Sequence, residues 1–112
     1  MGCSLTAMGE NALAANTTGN DNSAYGHDAG STNVTGSNNI FLGAHADAGA
    51  TNLNNTTAIG ANAIISNSNE MILGDNSVYV GIGYSGVTAF PPGKLSVDEN
   101  AGEVSTPTIA GF

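Results

Sequence analysis

Few side chains in this 112-residue sequence could do chemistry. There is one cysteine, Cys3, and there are two histidines, His27 and His45; nine carboxylates face a single base, Lys94. A hydroxyl or thiol nucleophile needs a base at defined spacing, and neither Cys3 nor the scattered serines have one. A carboxylate pair for acid–base work is missing too, since Asp98-Glu99 reads as a solvated turn. Gly81-Ile82-Gly83-Tyr84-Ser85-Gly86 formally matches G-x-G-x-x-G. A dinucleotide site also needs a helix opening at the third glycine and an acid about 20 residues on. Val87-Thr88-Ala89-Phe90-Pro91-Pro92 follows instead and cannot start a long helix. The sequence therefore predicts no catalytic residue, no cofactor and no enzyme.

The histidines are placed by a repeat. A glycine recurs after a short triplet: Thr6-Ala7-Met8-Gly9, Ser23-Ala24-Tyr25-Gly26, Ile40-Phe41-Leu42-Gly43, Thr57-Ala58-Ile59-Gly60 and Met71-Ile72-Leu73-Gly74. The intervals separating Gly9, Gly26, Gly43, Gly60 and Gly74 are three equal long ones and then a shorter one. Met8, Tyr25, Leu42, Ile59 and Leu73 precede these glycines, all large and apolar; Ala12, Ala29, Ala46, Ala63 and Ser77 follow three residues later, all small. Asn16-Thr17-Thr18-Gly19 matches Asn33-Val34-Thr35-Gly36, whereas the third copy drifts to Ala50-Thr51-Asn52-Leu53 and the fourth shortens to Asn67-Ser68-Asn69. The short last interval is therefore the basic coil, and the first three copies carry a three-residue turn expansion.

In this register one column reads Asn11, Asp28, His45, Asn62, Asn76, with His27 in the column beside it. The expectation is a polar turn ladder in which Asp28 pairs with His45. A metal site needs three or four convergent ligands; only two or three can be named, so none is assigned.

Composition limits the fold. Gly 16, Ala 16 and Asn 15 exceed two fifths of the chain, while Leu, Ile, Val and Phe make up about a fifth. With a net charge of −8, that lies near the disordered class, and only a regular pattern rescues it. The charge and missing basic clusters argue against nucleic acid and against an anionic membrane surface. No apolar run approaches ~20 residues, so no membrane insertion is expected. One cysteine makes no internal disulfide. Met1-Gly2-Cys3-Ser4-Leu5-Thr6 lacks the charged and apolar regions of a signal peptide, so the chain is either used without secretion or a piece of a longer protein.

A 17-residue unit is too short for a helix pair and fits one solenoid coil of two short strands and two turns. Leu13-Ala14 and Ile64-Ile65 read as the second strand. An Ala-rich helix fails because Gly and Asn interrupt every few residues. Stacked coils superpose equivalent positions at about 4.8 Å, which lets asparagines bond along the stack. Each coil offers little apolar volume. We expect the large third position (Met8, Tyr25, Leu42, Ile59, Leu73) to fill the roll and the small second (Ala7, Ala24, Ala58, with Phe41 and Ile72 as exceptions) to face a partner chain. A homo-oligomer is the corresponding expectation, and a closed three-fold one is consistent with cyclic symmetry.

At these residues the chain resembles the left-handed parallel β-roll heads of trimeric autotransporter adhesins, whose signature reads roughly N-S/T-x-A-[IV]-G. Asn55-Thr56-Thr57-Ala58-Ile59-Gly60 and Asn22-Ser23-Ala24-Tyr25-Gly26 carry it. The Asn-Thr-Thr-Gly-x-x-Asn unit is similar to repeats of bacterial surface fibres and phage tail fibres. The resemblance spans about residues 5 to 97. It implies an all-β fold, a homotrimeric fibre, and attachment to a cell-surface protein or glycan receptor. The implied location is extracellular, on a bacterial surface or a phage virion tail. Neither a secretion signal, nor a heptad stalk, nor a membrane anchor lies in these residues.

The expected organisation is an extension over 1–4, the roll over 5–83, and a loop, short strand (Lys94 to Val97) and tail over 84–112. Loops on rigid scaffolds commonly carry binding, which points to Tyr84 and Phe90 as receptor contacts; alternatively, Phe90 caps the open end of the roll. A spacer or filament subunit without a ligand is the second reading of function.

Overall fold

Each triplet before a glycine forms a three-residue strand, and the strands stack in register. The computed structural model describes residues 4–75, 77 and 78. Its elements are β1 (Thr6–Met8), β2 (Ser23–Tyr25), β3 (Ile40–Leu42), β4 (Asp47–Ala48), β5 (Thr57–Ile59), β6 (Ile64–Ile65) and β7 (Met71–Leu73). One parallel sheet runs β1-β2-β3-β5-β7 and a second pairs β4 with β6. The register is that of the repeat: Met8 pairs with Tyr25, Tyr25 with Leu42, Leu42 with Ile59, and Ile59 with Leu73. The protein is an all-β solenoid of stacked coils, three long and the last one shorter.

Glycine is required at the corner after the first four triplet strands for two separate reasons. Gly9, Gly26, Gly43 and Gly60 take φ from +116° to +137°, a region that L side chains rarely adopt. The coils also approach too closely for a side chain: a Cβ at Gly43 would lie 2.7 Å from the Gly60 carbonyl carbon. Two residues later Asn11, Asp28, His45 and Asn62 turn through the left-handed region at φ 55–60°. Asn and Asp tolerate it best, which explains most of this column's composition.

The second side of the coil departs from expectation. Ile64-Ile65 is a strand, but Leu13-Ala14 lies in a turn. Leu13 and its stack-mate Gly30 have φ of 53° and 63°, and Ala14 and Asn16 donate backwards to the Asn11 and Leu13 carbonyls. These turns carry the first two coils round the corner. Asp47, next in that column, is extended, and the β4–β6 ladder begins there.

The interior reverses the sequence assignment of the triplet. In a three-residue strand the middle side chain points opposite to its two neighbours, and here the middle points in. Ala24, Phe41 and Ala58 are fully buried, whereas Met8, Tyr25, Leu42 and Leu73 are exposed and Ile59 is half-buried. The coil is too narrow for a large residue on every rung. Phe41 fits because Gly30 across from it has no side chain: a Cβ there would meet Phe41 at 2.6 Å and Leu13 at 2.8 Å. The remaining core is Leu13, Leu53, Ile65 and the small Ala29, Ala46, Ala48 and Ala63.

Buried amides fill the rest. Asn22, Asn33 and Asn39 are fully buried and Thr56 nearly so. Asn22 Nδ2 donates to the Gly36 carbonyl at 2.7 Å, and Asn39 Nδ2 donates to that of Leu53 at 2.8 Å. Asn22 Oδ1 accepts the Asn39 backbone N–H, and Asn39 Oδ1 accepts both the N–H and the hydroxyl of Thr56. Asn33 Nδ2 bridges Asn16 Oδ1 and the Gly36 carbonyl, each at 3.0 Å. Among the described residues every buried side-chain polar atom has a partner, as a buried polar network requires. In the third coil Ala50 and Leu53 take the places of Asn33 and Gly36, and an apolar pair replaces the amide. In the shortened fourth coil Glu70 closes the turn, accepting the backbone N–H groups of Ser66 and Asn67.

Candidate functional site: an apolar sheet face and a polar corner

The outward side chains of the five-stranded sheet form two columns. The first is Thr6, Ser23, Ile40, Thr57 and Met71; the second is Met8, Tyr25, Leu42, Ile59 and Leu73. Leu42 and Ile40 are each 45% exposed, and Met8 66%. Parallel stacking makes these residues contiguous, so the face is a continuous apolar strip rather than scattered single residues, which alone would need no explanation. No charged side chain belongs to either column. The residues expected to fill the roll thus become its exposed face, and of those expected to meet a partner Ala24, Phe41 and Ala58 become its core, Ile72 packs against it and Ala7, on the first rung, is exposed. Parity decides this; the repeat period is unaffected.

At the corner beyond this sheet lies the polar ladder. Asp28 Oδ2 stands 3.2 Å from His27 Nδ1 and 3.4 Å from His45 Nδ1. The expected Asp28–His45 pairing is present, and His27 joins it. The imidazoles meet edge to face, with centroids 5.1 Å apart. The other oxygen of Asp28 accepts from Asn11 Nδ2 at 3.0 Å. Backbone bonds fix the arrangement: Asp28 N–H donates to the Glu10 carbonyl and His45 N–H to that of His27. Both imidazoles are about half exposed.

Asp47 forms the other carboxylate cluster. It is buried and accepts from the Ser31 hydroxyl and the backbone N–H groups of Thr32 and Ala48. These partners make it a cross-coil clamp for the turn above. At the end of the described chain Asp75 accepts from the hydroxyl and then the backbone N–H of Ser77. Those two bonds hold the Asp75 carboxyl below its ordinary range.

Tyr84 and Phe90, the receptor-contact residues expected from sequence, lie outside the described residues, as do the G-x-G-x-x-G segment and the strand at Lys94 to Val97. No helix among the described residues is long and apolar enough to cross a membrane. Comparison with known proteins finds no family model, no curated protein and no solved structure that matches this chain. The adhesin-head resemblance rests on the repeat residues themselves.

Proposed function

We propose that this chain is a non-catalytic module of a homotrimeric fibre that attaches to a cell-surface protein or glycan. The carrying observation is the exposed apolar strip on one face of a parallel stack. Met8, Tyr25, Ile40, Leu42, Ile59, Met71 and Leu73 line it. Covering the exposed half of each is worth on the order of 1 kcal/mol per side chain. The sum suits a permanent contact between copies more than a transient encounter. Three copies around one axis would each give this face to a closed assembly, leaving turns and the far end of the stack free. Stiffness then comes from the hydrogen-bonded coils, and attachment strength from three linked weak contacts. On this reading the location is the outside of a bacterial cell or a phage tail.

Sedimentation equilibrium tests the assembly, and binding of the purified chain to cells or glycan arrays tests attachment. Binding lost on Tyr84→Ala with Phe90→Ala would place the contact in that loop. A trimer that binds neither cells nor glycans supports the second reading, a spacer or filament subunit, for which the uninterrupted coil-to-coil hydrogen bonding is the favouring observation.

A further inference from the structure

We propose that His27, Asp28 and His45 form a binding site for a divalent metal ion of borderline softness, for which Zn²⁺ is the probe. The inference is independent of the trimer.

Geometry carries it. Zinc binds imidazole nitrogen at about 2.0–2.1 Å and carboxylate oxygen at about 2.0–2.2 Å, so neighbouring donors on a tetrahedron lie about 3.3–3.5 Å apart. The two Asp28–His separations, 3.2 and 3.4 Å, already have this length. One donor atom from each of the three residues falls within 4.8 Å of the others. Closing the third edge takes only rotation of two half-exposed imidazoles. The backbone beneath them is fixed by the coil-to-coil bonds of Asp28 and His45. Asn11 holds the second oxygen of Asp28 at 3.0 Å, leaving Oδ2 turned to both rings. That is the orienting hydrogen bond that ligating carboxylates ordinarily receive.

The donor set chooses the ion. Two imidazoles and one carboxylate suit zinc, copper or nickel rather than calcium or magnesium, which prefer all-oxygen shells. Each neutral imidazole would bind through Nδ1 and carry its proton on Nε2. Three protein ligands leave a position for water. The net charge of −8 draws cations to the surface. Because His27 and Asp28 belong to one coil and His45 to the next, the ion would clip two coils together.

The test is calorimetric titration of ZnCl₂ into the full chain at neutral pH, with Tm measured in parallel. We expect saturable binding of one ion per chain and a rise in Tm on loading. His27→Ala and His45→Ala should each weaken binding at least about tenfold, and Asn11→Ala less, on the scale of ligand-orienting groups. Both histidines are exposed, so these variants should keep the parent circular dichroism spectrum. No saturable zinc binding overturns the proposal. So does binding retained at full strength in both histidine variants, as Cys3 or scattered carboxylates would give. Calcium bound as tightly as zinc overturns the assignment of the ion.

Discussion

Replacing Asn39 by alanine should come close to unfolding the stack, although the side chain is uncharged and takes no part in the apolar strip. Asn39 is fully buried. Its Nδ2 is the donor to the Leu53 carbonyl at 2.8 Å, and its Oδ1 accepts the Thr56 N–H at 3.0 Å and the Thr56 hydroxyl at 2.8 Å. Alanine leaves the Leu53 carbonyl and the Thr56 N–H unsatisfied in a dry interior. Each such group costs roughly 1–3 kcal/mol, so the pair costs about 4 kcal/mol before any cavity is counted. A small domain has about 5–15 kcal/mol in total. Asn39→Asp keeps the acceptor for Thr56 but points a second negative oxygen at the Leu53 carbonyl, and should be no milder at neutral pH. The control is Asn52→Ala, at an exposed turn position, expected within about 0.5 kcal/mol of the parent. The assay is urea unfolding followed by circular dichroism, with all chains at one concentration because association adds apparent stability. An Asn39→Ala chain within about 1 kcal/mol of the Asn52→Ala control would refute the view that buried amides hold the coils together.

Other outcomes follow from the same packing. Gly43→Ala must place its Cβ 2.7 Å from the Gly60 carbonyl carbon at φ +133°, so the unfolding free energy measured in urea should fall by more than the roughly 1 kcal/mol typical of point changes. Phe41→Ala removes the largest fully buried side chain and should cost about 3–5 kcal/mol in urea unfolding. Ser77→Ala removes the hydroxyl and leaves only the backbone bond to Asp75; the Asp75 carboxyl, followed by NMR titration, should move up toward its ordinary value. The sign follows from linkage: a lowered folded-state pKa gives stability present above the unfolded value and lost as pH falls through the folded one. Asp75 is fully exposed, so the titration and not the stability is the readout.

The period, the strand positions and the register were legible in the sequence because stacking forces like residues onto like positions at fixed intervals. The drift at Ala50 and Leu53 marked the place where an amide gives way to an apolar pair. Which face of the triplet points inward was not legible from residue size alone. The large residues before each glycine look like core, but so short a coil encloses too little volume for a Met, Tyr or Leu on every rung. The signal that could have settled it is the middle column, Ala7, Ala24, Phe41, Ala58, Ile72, whose single Phe faces Gly30 in the coil before. The Leu13-Ala14 turn was hidden because leucine seldom adopts positive φ; Gly30, its stack-mate in the next coil, was the clue. The polar corner was half legible, since the column predicted the Asp28–His45 pair, while His27 reaches the same oxygen only through the local turn.

Self-association through the outward columns is the central claim, and the mass of the chain in solution measures it most directly. Sedimentation equilibrium should return three times the 11.0 kDa chain mass, and Leu42→Asp, which places a charge mid-strip without touching the core, should reduce it to one. A folded parent chain that stays at 11.0 kDa across the concentration range would contradict the account.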